Sequence, residues 1–161
     1  MLWVLPMTYD ETDLRILRAL QRNSARGLED LGADIGLSRN ALWRRIKALD
    51  ADQVIAKRVA VLDAAKMGVG LQVFILVRTA SHSAQWSARF SAAVRALPEI
   101  QGAYRMSGDL DYMIRARVAD IAAYDGLYQR LTARVELADV SASFVMEEIK
   151  ETTELPVLRR I

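Results

Sequence analysis

Two short stretches of this sequence combine residue types that could do chemistry. The first, LSRNALWRRIKALD (37–50), gathers arginines, a lysine and an asparagine around Trp43. Arginine and lysine bind phosphate, and arginine and asparagine side chains match the edges of guanine and adenine. The second, MSGDLDYM (106–113), sets two carboxylates beside a glycine turn. Its carboxylates suit an ammonium group and its backbone N–H groups a carboxylate, so the second stretch suggests an amino-acid ligand.

Each stretch also has a plainer interpretation. The basic helix could be a solvated charged face, and the excess of arginine over lysine could reflect genomic base composition. The glycine-aspartate segment could be a hairpin turn with solvated acids. A divalent metal is a weaker option there, because no third ligand is visible.

Composition excludes several classes of site. The 161 residues include no cysteine and one histidine, His82, so disulfides, thiolate sites and multi-histidine metal sites are excluded. Our prediction for this chain includes no cofactor, no metal and no catalytic residue. No apolar run approaches the ~18–20 residues that span a bilayer, and MLWVLPM is too short for a secretory signal, so we expect a cytoplasmic protein without membrane contact. Met7 is an alternative start.

Charge is concentrated around the first stretch. The net charge is only +2, but residues 38–58 hold six cations against two anions, a local excess of +4. The protein as a whole is therefore not strongly basic, and a local cluster of cations of this kind indicates a nucleic-acid partner.

Three short helices are predicted to position the basic residues. The first, in TYDETDLRILRALQRNSARG (8–27), opens with a capping box of Thr8 and Glu11. The second, GLEDLGADIG (27–36), contains Gly32, which suits a helix passing close by, and ends at Gly36, which suits a left-handed stop. Ser38 caps the third. Two helices joined by the tight turn IGLS indicate a helix-turn-helix.

The third helix separates an apolar face from a polar one. Leu42, Ile46 and Leu49 form the apolar stripe. Trp43, on the other face, either contacts thymine methyl groups and sugar edges or shields a neighbouring helix. Alternation in VIAKRVAVLD (54–63) predicts a two-stranded wing whose tip cations touch phosphate. The predicted DNA-binding residues are Ser38, Arg39, Asn40, Trp43, Arg44, Lys47, Lys57 and Arg58.

The rest of the chain predicts a β-α-β-β-α-β order, the ferredoxin-like arrangement. Its first strand, LQVFILVRT (71–79), is apolar on both faces. Helices can cover one of these faces, and a partner subunit is the simplest candidate to cover the other. The helices are AQWSARFSAAVRALP (84–98), with Trp86 and Phe90 in the core, and ADIAAYDGLYQRLTARV (119–135), with Ile121 among its inward residues. The last strand is predicted in DVSASFVMEEI (139–149).

Taken in order, several segments resemble the Lrp/AsnC family of transcription regulators, and the resemblance covers Tyr9–Pro156. They are DETDLRILRALQRNSARG (10–27), DLGADIGLSRNALWRRIKALD (30–50), VI (54–55), MSGDLDYMIRARV (106–118) and MEEIKETTELP (146–156).

The resemblance implies a winged helix-turn-helix followed by an effector (RAM) domain. That domain dimerises sheet to sheet, its dimers form higher oligomers such as octamers, and it binds amino acids at subunit interfaces. The implied effector residues are Ser107, Gly108, Asp109, Leu110, Asp111 and Tyr112, with residues 144–146 a looser candidate. Two positions depart from the family pattern. Gln53 stands where the family usually has a glycine, and if the backbone there is left-handed, glutamine lowers the stability by ~1 kcal/mol relative to glycine. Gly32 stands where the family usually has an alanine.

We therefore predict an α+β protein: an N-terminal winged helix-turn-helix followed by a ferredoxin-like βαββαβ (RAM) domain. The predicted boundaries are an extension (1–7), the DNA-binding domain (8–62), a linker (63–70), the effector-binding and dimerisation domain (71–150) and a tail (151–161). The predicted function is sequence-specific transcription regulation on a pseudo-palindromic double-stranded DNA operator, modulated by an amino-acid effector.

Two alternatives remain. A sirohaem-decarboxylase-like enzyme has the same two-domain plan and would use His82 as a catalytic or haem-facing residue, but it has no use for the basic helix. A purely structural oligomer scaffold is the other alternative.

Overall fold

The computed structural model describes residues 9–79 and 81–157, and its contacts divide the chain into two compact units. Of the described residues, 9–60 and 150–157 form the helical unit, and 61–79 and 81–149 form the sheet unit. The predicted extension 1–7 and Thr8 lie outside the described residues. The described part of the predicted separate tail, 151–157, groups with the helical unit.

The helical unit contains three helices around a small apolar core. They are α1 (Glu11–Arg22), α2 (Leu28–Ile35) and α3 (Arg39–Ala51). Each contributes a fully buried side chain to the core, namely Ile16, Leu31 and Leu42. Because the apolar positions recur every three to four residues, one face of each helix turns inward.

The predicted capping box is shifted along the chain. The side chain of Asp10 accepts a hydrogen bond from the Asp13 N–H (2.8 Å), and Asp13 accepts one in return from the Asp10 N–H (3.3 Å). The prediction of Thr8 and Glu11 is therefore wrong, because two aspartates perform the reciprocal capping two residues later. Glu11 pairs instead with Arg18 (3.0 Å).

The turn between α2 and α3 depends on two glycines. Gly36 has φ = 76°, the left-handed stop that the sequence predicts. The Leu37 N–H then donates to the Gly32 carbonyl (2.8 Å), and a Cβ at residue 32 would lie 2.7 Å from the Leu37 oxygen. The sequence predicts that Gly32 makes room for a neighbouring helix. The structure shows instead that the backbone of the turn itself leaves no space for a side chain at this position.

The stop after α3 has the same geometry without a glycine. Gln53 has φ = 58°, and the Val54 N–H donates back to the Leu49 carbonyl (3.3 Å). A residue with a side chain is strained in this region.

The wing prediction is wrong for the described chain: residues 54–62 form no strand, and Val59 is 60% exposed. Their alternation has no second strand to pair with in this unit.

The predicted linker is an ordered turn. The side chain of Asp63 accepts from the N–H groups of Ala65 (3.0 Å) and Lys66 (3.1 Å), and Gly68 takes φ = 74°. Hydrogen bonding of this kind gives residues 63–70 a defined path, which a Gly/Ser-type linker lacks.

The sheet unit has the predicted β-α-β-β-α-β order. Its elements are β1 (Leu71–Arg78), α4 (Ala84–Arg95), β2 (Ile100–Arg105), β3 (Tyr112–Val118), α5 (Ile121–Thr132) and β4 (Asp139–Phe144). The strands form one antiparallel sheet in the order β2-β3-β1-β4. The centre of the sheet is β1, where Ile75 pairs with Ile114 on one side and Ala142 on the other.

One face of this sheet carries the core. The inward residues of β1 and β3 are fully buried against Trp86 and Phe90 of α4 and Leu127 of α5, as expected for the two aromatic residues. Two predictions for this unit are wrong. Ile121 is 66% exposed because it occupies the first position of α5, and the last strand ends at Phe144, five residues earlier than predicted.

Candidate nucleic-acid interface and effector loop

The outer face of α3 presents polar side chains that form no hydrogen bond or ion pair within the described part of the chain. Asn40, Arg44 and Lys47 are exposed, and none of them has a hydrogen bond or an ion pair with another described residue. Arg39 on the same helix lies 3.7 Å from Glu29, a loose surface contact. This face has the composition and freedom required to contact phosphates and base edges.

Trp43 lies within this face. Its side chain is 50% exposed, and the Lys47 ammonium nitrogen lies 5.9 Å from its ring centroid, within cation–π range. Such exposure argues against the interpretation in which the ring shields a neighbouring helix. The aromatic ring instead forms part of the exposed surface and lies beside one of its cations.

The neighbouring cation, Arg45, points the other way. One of its Nη atoms donates to Asp10 (2.7 Å) and to Asp13 (2.8 Å), the two residues that cap α1. The pKa of the Asp10 carboxyl is lowered, first by the Asp13 backbone N–H and then by Arg45. Arg45 therefore fixes α3 on α1, a role that sequence periodicity missed because its partners lie more than thirty residues away.

The remaining predicted DNA-binding residues differ in availability. The Ser38 hydroxyl caps α3 by accepting from the Ala41 N–H (3.3 Å). Arg58 is paired with Asp50 of α3 (2.9 Å), so it is held beside that helix and not at a wing tip. Lys57 is exposed and has no ion-pair partner in the described part of the chain.

The glycine-aspartate loop joins β2 to β3 at one edge of the sheet unit. Gly108 has φ = 108°, a conformation that side chains rarely adopt. The Met106 N–H donates to the Asp111 carbonyl (2.9 Å), which closes the turn. Arg78, at the end of β1, donates from Nε to the Asp109 carbonyl (2.9 Å).

The two loop carboxylates differ in their contacts. Asp111 accepts a hydrogen bond from the Thr79 N–H (2.8 Å), and Nε2 of His82 lies 3.8 Å from its other oxygen. The Asp109 carboxylate is exposed and has no described partner. Asp111 thus anchors the segment after β1, which leaves Asp109 as the free carboxylate. Sequence reasoning did not identify Arg78 and Thr79 as neighbours of the loop, because only the pairing of β1 with β3 brings them close to it.

Of the other predicted loop residues, Ser107 is exposed and Leu110 is partly buried. Tyr112 is partly buried, and its ring packs 4.4 Å from Phe90 and 5.5 Å from Trp86, centroid to centroid. The tyrosine ring therefore joins the end of the loop to the core cluster.

No group of three or more histidine, cysteine, aspartate or glutamate side chains in residues 9–79 and 81–157 could hold a metal ion. Within the same residues, no helix has the length and apolarity required to cross a membrane.

Two protein-family models match the ranges in which most of the candidate site residues lie. A model of the AsnC-type helix-turn-helix domain matches residues 10–50, and one of the Lrp/AsnC ligand binding domain matches residues 72–155. The chain belongs to the Lrp/AsnC family. Its fold matches a crystal structure of an AsnC family regulator from Agrobacterium tumefaciens, with 50% identity, a TM-score of 0.89 and coverage of 92% of this chain and 97% of the other.

Curated relatives in this family are transcription regulators. The glutamate uptake regulatory protein of Zymomonas mobilis is 46% identical over 92% of this chain and 90% of its own length. The DNA-binding transcriptional activator DecR of Escherichia coli is 41% identical over 92% and 98%. A Neisseria meningitidis regulator solved as its L-methionine complex is 32% identical, with a TM-score of 0.89 over 93% of this chain and 97% of that one.

This Lrp/AsnC protein is thus a DNA-binding transcription regulator, and nothing in these comparisons supports the decarboxylase alternative.

Proposed function

We propose that the outer face of α3 enters the major groove of operator DNA and reads its sequence. The observation that carries the proposal is a row of exposed side chains, Asn40, Arg44 and Lys47, without an ion pair or hydrogen bond to another described residue, on a helix that Arg45 joins to α1. Arg44 suits a guanine edge and Asn40 an adenine. Trp43, half exposed in the middle of the row, packs against thymine methyl groups or sugar edges.

In this proposal the flanking residues bind the DNA backbone. Ser38, Arg39 and Lys57 contact phosphates, which adds affinity without sequence reading. Arg58 contributes only if its ion pair with Asp50 opens, so we assign it the smallest share.

The effector is an amino acid bound at the glycine-aspartate loop. The free carboxylate of Asp109 receives the ammonium group, and backbone N–H groups near Gly108 receive the carboxylate. Ser107 and Leu110 line the same loop. The regulator from Neisseria meningitidis, solved with L-methionine, supports this class of ligand for a relative of the same fold.

The active form is a homodimer that pairs through the face of the sheet turned away from α4 and α5. On that face Phe74, Leu76 and Met113 are only partly buried and lie outside the apolar core cluster. A second copy would cover them, and higher oligomers such as octamers would assemble from these dimers. Two-fold symmetry then requires a pseudo-palindromic operator, which the regulator binds in the cytoplasm.

Selection of binding sites from random double-stranded DNA tests the first part of this proposal. We expect enrichment of a pseudo-palindromic sequence bound far more tightly than unselected DNA at the same salt concentration. Enrichment of no sequence would contradict sequence-specific reading by α3.

Calorimetry against the twenty amino acids tests the effector, and sedimentation tests the dimer. We expect heat from at least one amino acid, lost in Asp109→Asn. Binding heat that is unchanged in this variant would show that Asp109 is not part of the effector site.

In the sedimentation experiment, a monomer at micromolar concentration would contradict pairing through the sheet.

A further inference from the structure

The two edge strands of the sheet differ in how they are protected. In the strand order β2-β3-β1-β4, the edges are β2 and β4. The pairing of β2 with β3 shifts register between Ile100 and Gly102, a bulge of the kind that blunts an edge against further pairing. The other edge, β4, pairs with β1 in regular register over its whole length, Asp139–Phe144, and contains no proline, lysine or arginine. Because edge strands carry such features to prevent pairing with another chain, β4 is the unprotected edge.

The backbone groups of β4 alternate in direction. The Val145 N–H, directly after the strand, donates to the Gln72 carbonyl of β1 (2.9 Å). In an antiparallel ladder every second residue points its N–H and C=O to the same neighbour, so the odd-numbered residues of β4 also face β1. The N–H and C=O groups of Val140, Ala142 and Phe144 therefore point away from β1, and no other described strand pairs with them. These groups can bond to a further strand.

Aromatic side chains cover the helix side of this edge. Tyr124 of α5 packs edge-on against Phe144, with ring centroids 5.1 Å apart, and Tyr128 lies 6.4 Å from Tyr124. The side chains of Val140, Phe144 and Tyr124 are partly buried and lie at the margin of the apolar core. A strand added at β4 would extend the sheet and place its own apolar side chains beside these rings, which is the arrangement of β-strand addition.

We propose that the β4 edge binds the β4 edge of a second copy of this chain, as an antiparallel pair with its two-fold axis at Ala142. In this register Val140 lies opposite the second copy's Phe144, apolar against apolar, next to the aromatic side chains of α5. On the other side of the sheet, Ser141 lies opposite the second copy's Ser143. Matched pairs of this kind across strands stabilise a sheet.

The charge of the strand fits the same symmetric arrangement. Asp139 is the only charged residue of β4, and its carboxylate lies 3.5 Å from an Nη atom of Arg78 in its own chain. With the axis at Ala142, the two copies of Asp139 lie at opposite ends of the paired strands, so like charges do not meet. This self-complementarity is the reason for assigning the edge to a second copy and not to a different protein.

Such a contact accounts for the step from dimers to higher oligomers. It rests on the proposed function in one respect, that two copies pair through the outer face of the sheet. A sheet face and a sheet edge are different surfaces, so one chain can use both. Two different two-fold contacts on each subunit join dimers into larger assemblies, whereas a single two-fold contact stops at the dimer.

Disulfide cross-linking tests the register. The chain contains no cysteine, so Ser141→Cys combined with Ser143→Cys supplies the only thiols, at two exposed positions. In the proposed pair these residues face each other at about 4.5 Å between Cα atoms, within the range of a disulfide. On mild oxidation of the purified protein we expect covalent pairs of chains as the main product. The control is Gln101→Cys with Ala103→Cys on the bulged edge, where we expect less than about a tenth as much.

Sedimentation tests the contact without a cross-link. Ser141→Lys combined with Ser143→Lys sets lysines of the two chains opposite one another and leaves the inward side chains unchanged. We expect wild type to be larger than a dimer and the lysine variant to be a dimer. A lysine variant of wild-type size would overturn the proposal, as would a lack of covalent pairs in the cysteine variant. If wild type is only a dimer and the cysteines still bond, the edge is the dimer interface; pairing through the sheet face then fails while the edge contact stands.

Hydrogen exchange identifies the same contact residue by residue. The Ala142 N–H has no acceptor among the described residues of its own chain, so its protection depends on the second copy. We expect it to exchange at least about tenfold faster in the lysine variant than in wild type. The Ser143 N–H faces β1 and should change less than about twofold, which checks that the sheet remains folded. Equal exchange of Ala142 in the two proteins would contradict pairing at this edge.

Discussion

The outer face of α3 and the glycine-aspartate loop use their polar side chains in opposite ways. On α3, the side chains of Asn40, Arg44 and Lys47 form no ion pair or hydrogen bond with another described residue. In the loop, Asp111 is bonded to the Thr79 N–H, and Arg78 holds the Asp109 carbonyl. A separate residue, Arg45, joins α3 to the two capping aspartates of α1. The loop is shaped by the same kinds of groups that would bind its ligand.

This difference has a physical cause. A helix satisfies its own backbone, so its outward side chains are free for another molecule. A tight turn leaves N–H and C=O groups unpaired, and nearby side chains must satisfy them. In the loop, one carboxylate, that of Asp109, has no partner among the described residues.

The largest effect that would sharpen this contrast is expected at Arg44. Arg44→Ala should weaken operator binding by about 1–3 kcal/mol, because it removes an unpaired cation from the reading face. The measurement is a titration of selected DNA at fixed salt. Arg134→Ala is the matched control, since Arg134 is an exposed arginine on the sheet unit whose side chain bonds only to the Arg130 carbonyl in the described structure. Equal affinity for Arg44→Ala and wild type would remove this face as the reader.

The loop should respond differently at its two carboxylates. Asp111→Ala should lower the free energy of unfolding by about 1–2 kcal/mol, because it leaves the partly buried Thr79 N–H without its acceptor. Asp109→Ala should change it by less than about 0.5 kcal/mol. Urea unfolding of both variants measures the difference. Similar losses in the two variants would mean that Asp109 is also structural and that the contrast with α3 is overstated.

The stop after α3 should show a smaller effect. Gln53→Gly should stabilise the protein by roughly 0.5–1 kcal/mol, because glycine adopts the left-handed backbone without the strain that glutamine bears. Gly36→Ala, the reverse change at the equivalent stop of α2, should destabilise by about 1 kcal/mol. Thermal or urea unfolding measures both. A destabilised Gln53→Gly would show that the glutamine side chain makes a compensating contact.

Acid should produce the smallest effects, one in each unit. The pKa of Asp10 is lowered by the Asp13 N–H and Arg45, and that of Glu99 chiefly by its hydrogen bond from Arg130. A lowered pKa contributes stability that is complete above the ordinary values, 3.8 and 4.5, and is lost as pH falls through the folded ones. Asp10→Asn and Glu99→Gln should each flatten the stability curve below about pH 4.5. If the free energy of unfolding depends on acid pH in both variants as it does in wild type, neither the Asp10–Arg45 pair nor the Glu99–Arg130 pair links protonation to folding.

Local sequence patterns were enough to predict much of this architecture. The left-handed stop at Gly36, the Ser38 cap and the inward Trp86 and Phe90 depend on neighbours within a few residues, and the structure confirms all four. The same reasoning failed for the wing, because alternation in residues 54–62 identifies an extended segment but supplies no strand to pair with it.

The availability of each candidate site residue could not be predicted in this way. The sequence places Arg44 among the predicted DNA-binding residues and leaves Arg45 out, but it gives Arg45 no partner, and it shows Asp109 and Asp111 as equivalent acids. In the structure one member of each pair is bonded to partners about thirty residues away.

The sequence by itself determined the order of helices and strands, the basic face of α3 and the family to which the chain belongs, because periodicity, caps and turns are local properties. Only the tertiary structure decided which carboxylates hold Arg45, which of the two loop aspartates has a side-chain partner among the described residues, and where the described part of the tail lies. Those outcomes depend on groups that are distant in the chain meeting at hydrogen-bond distance, as Gln21 meets Leu155 across 134 residues.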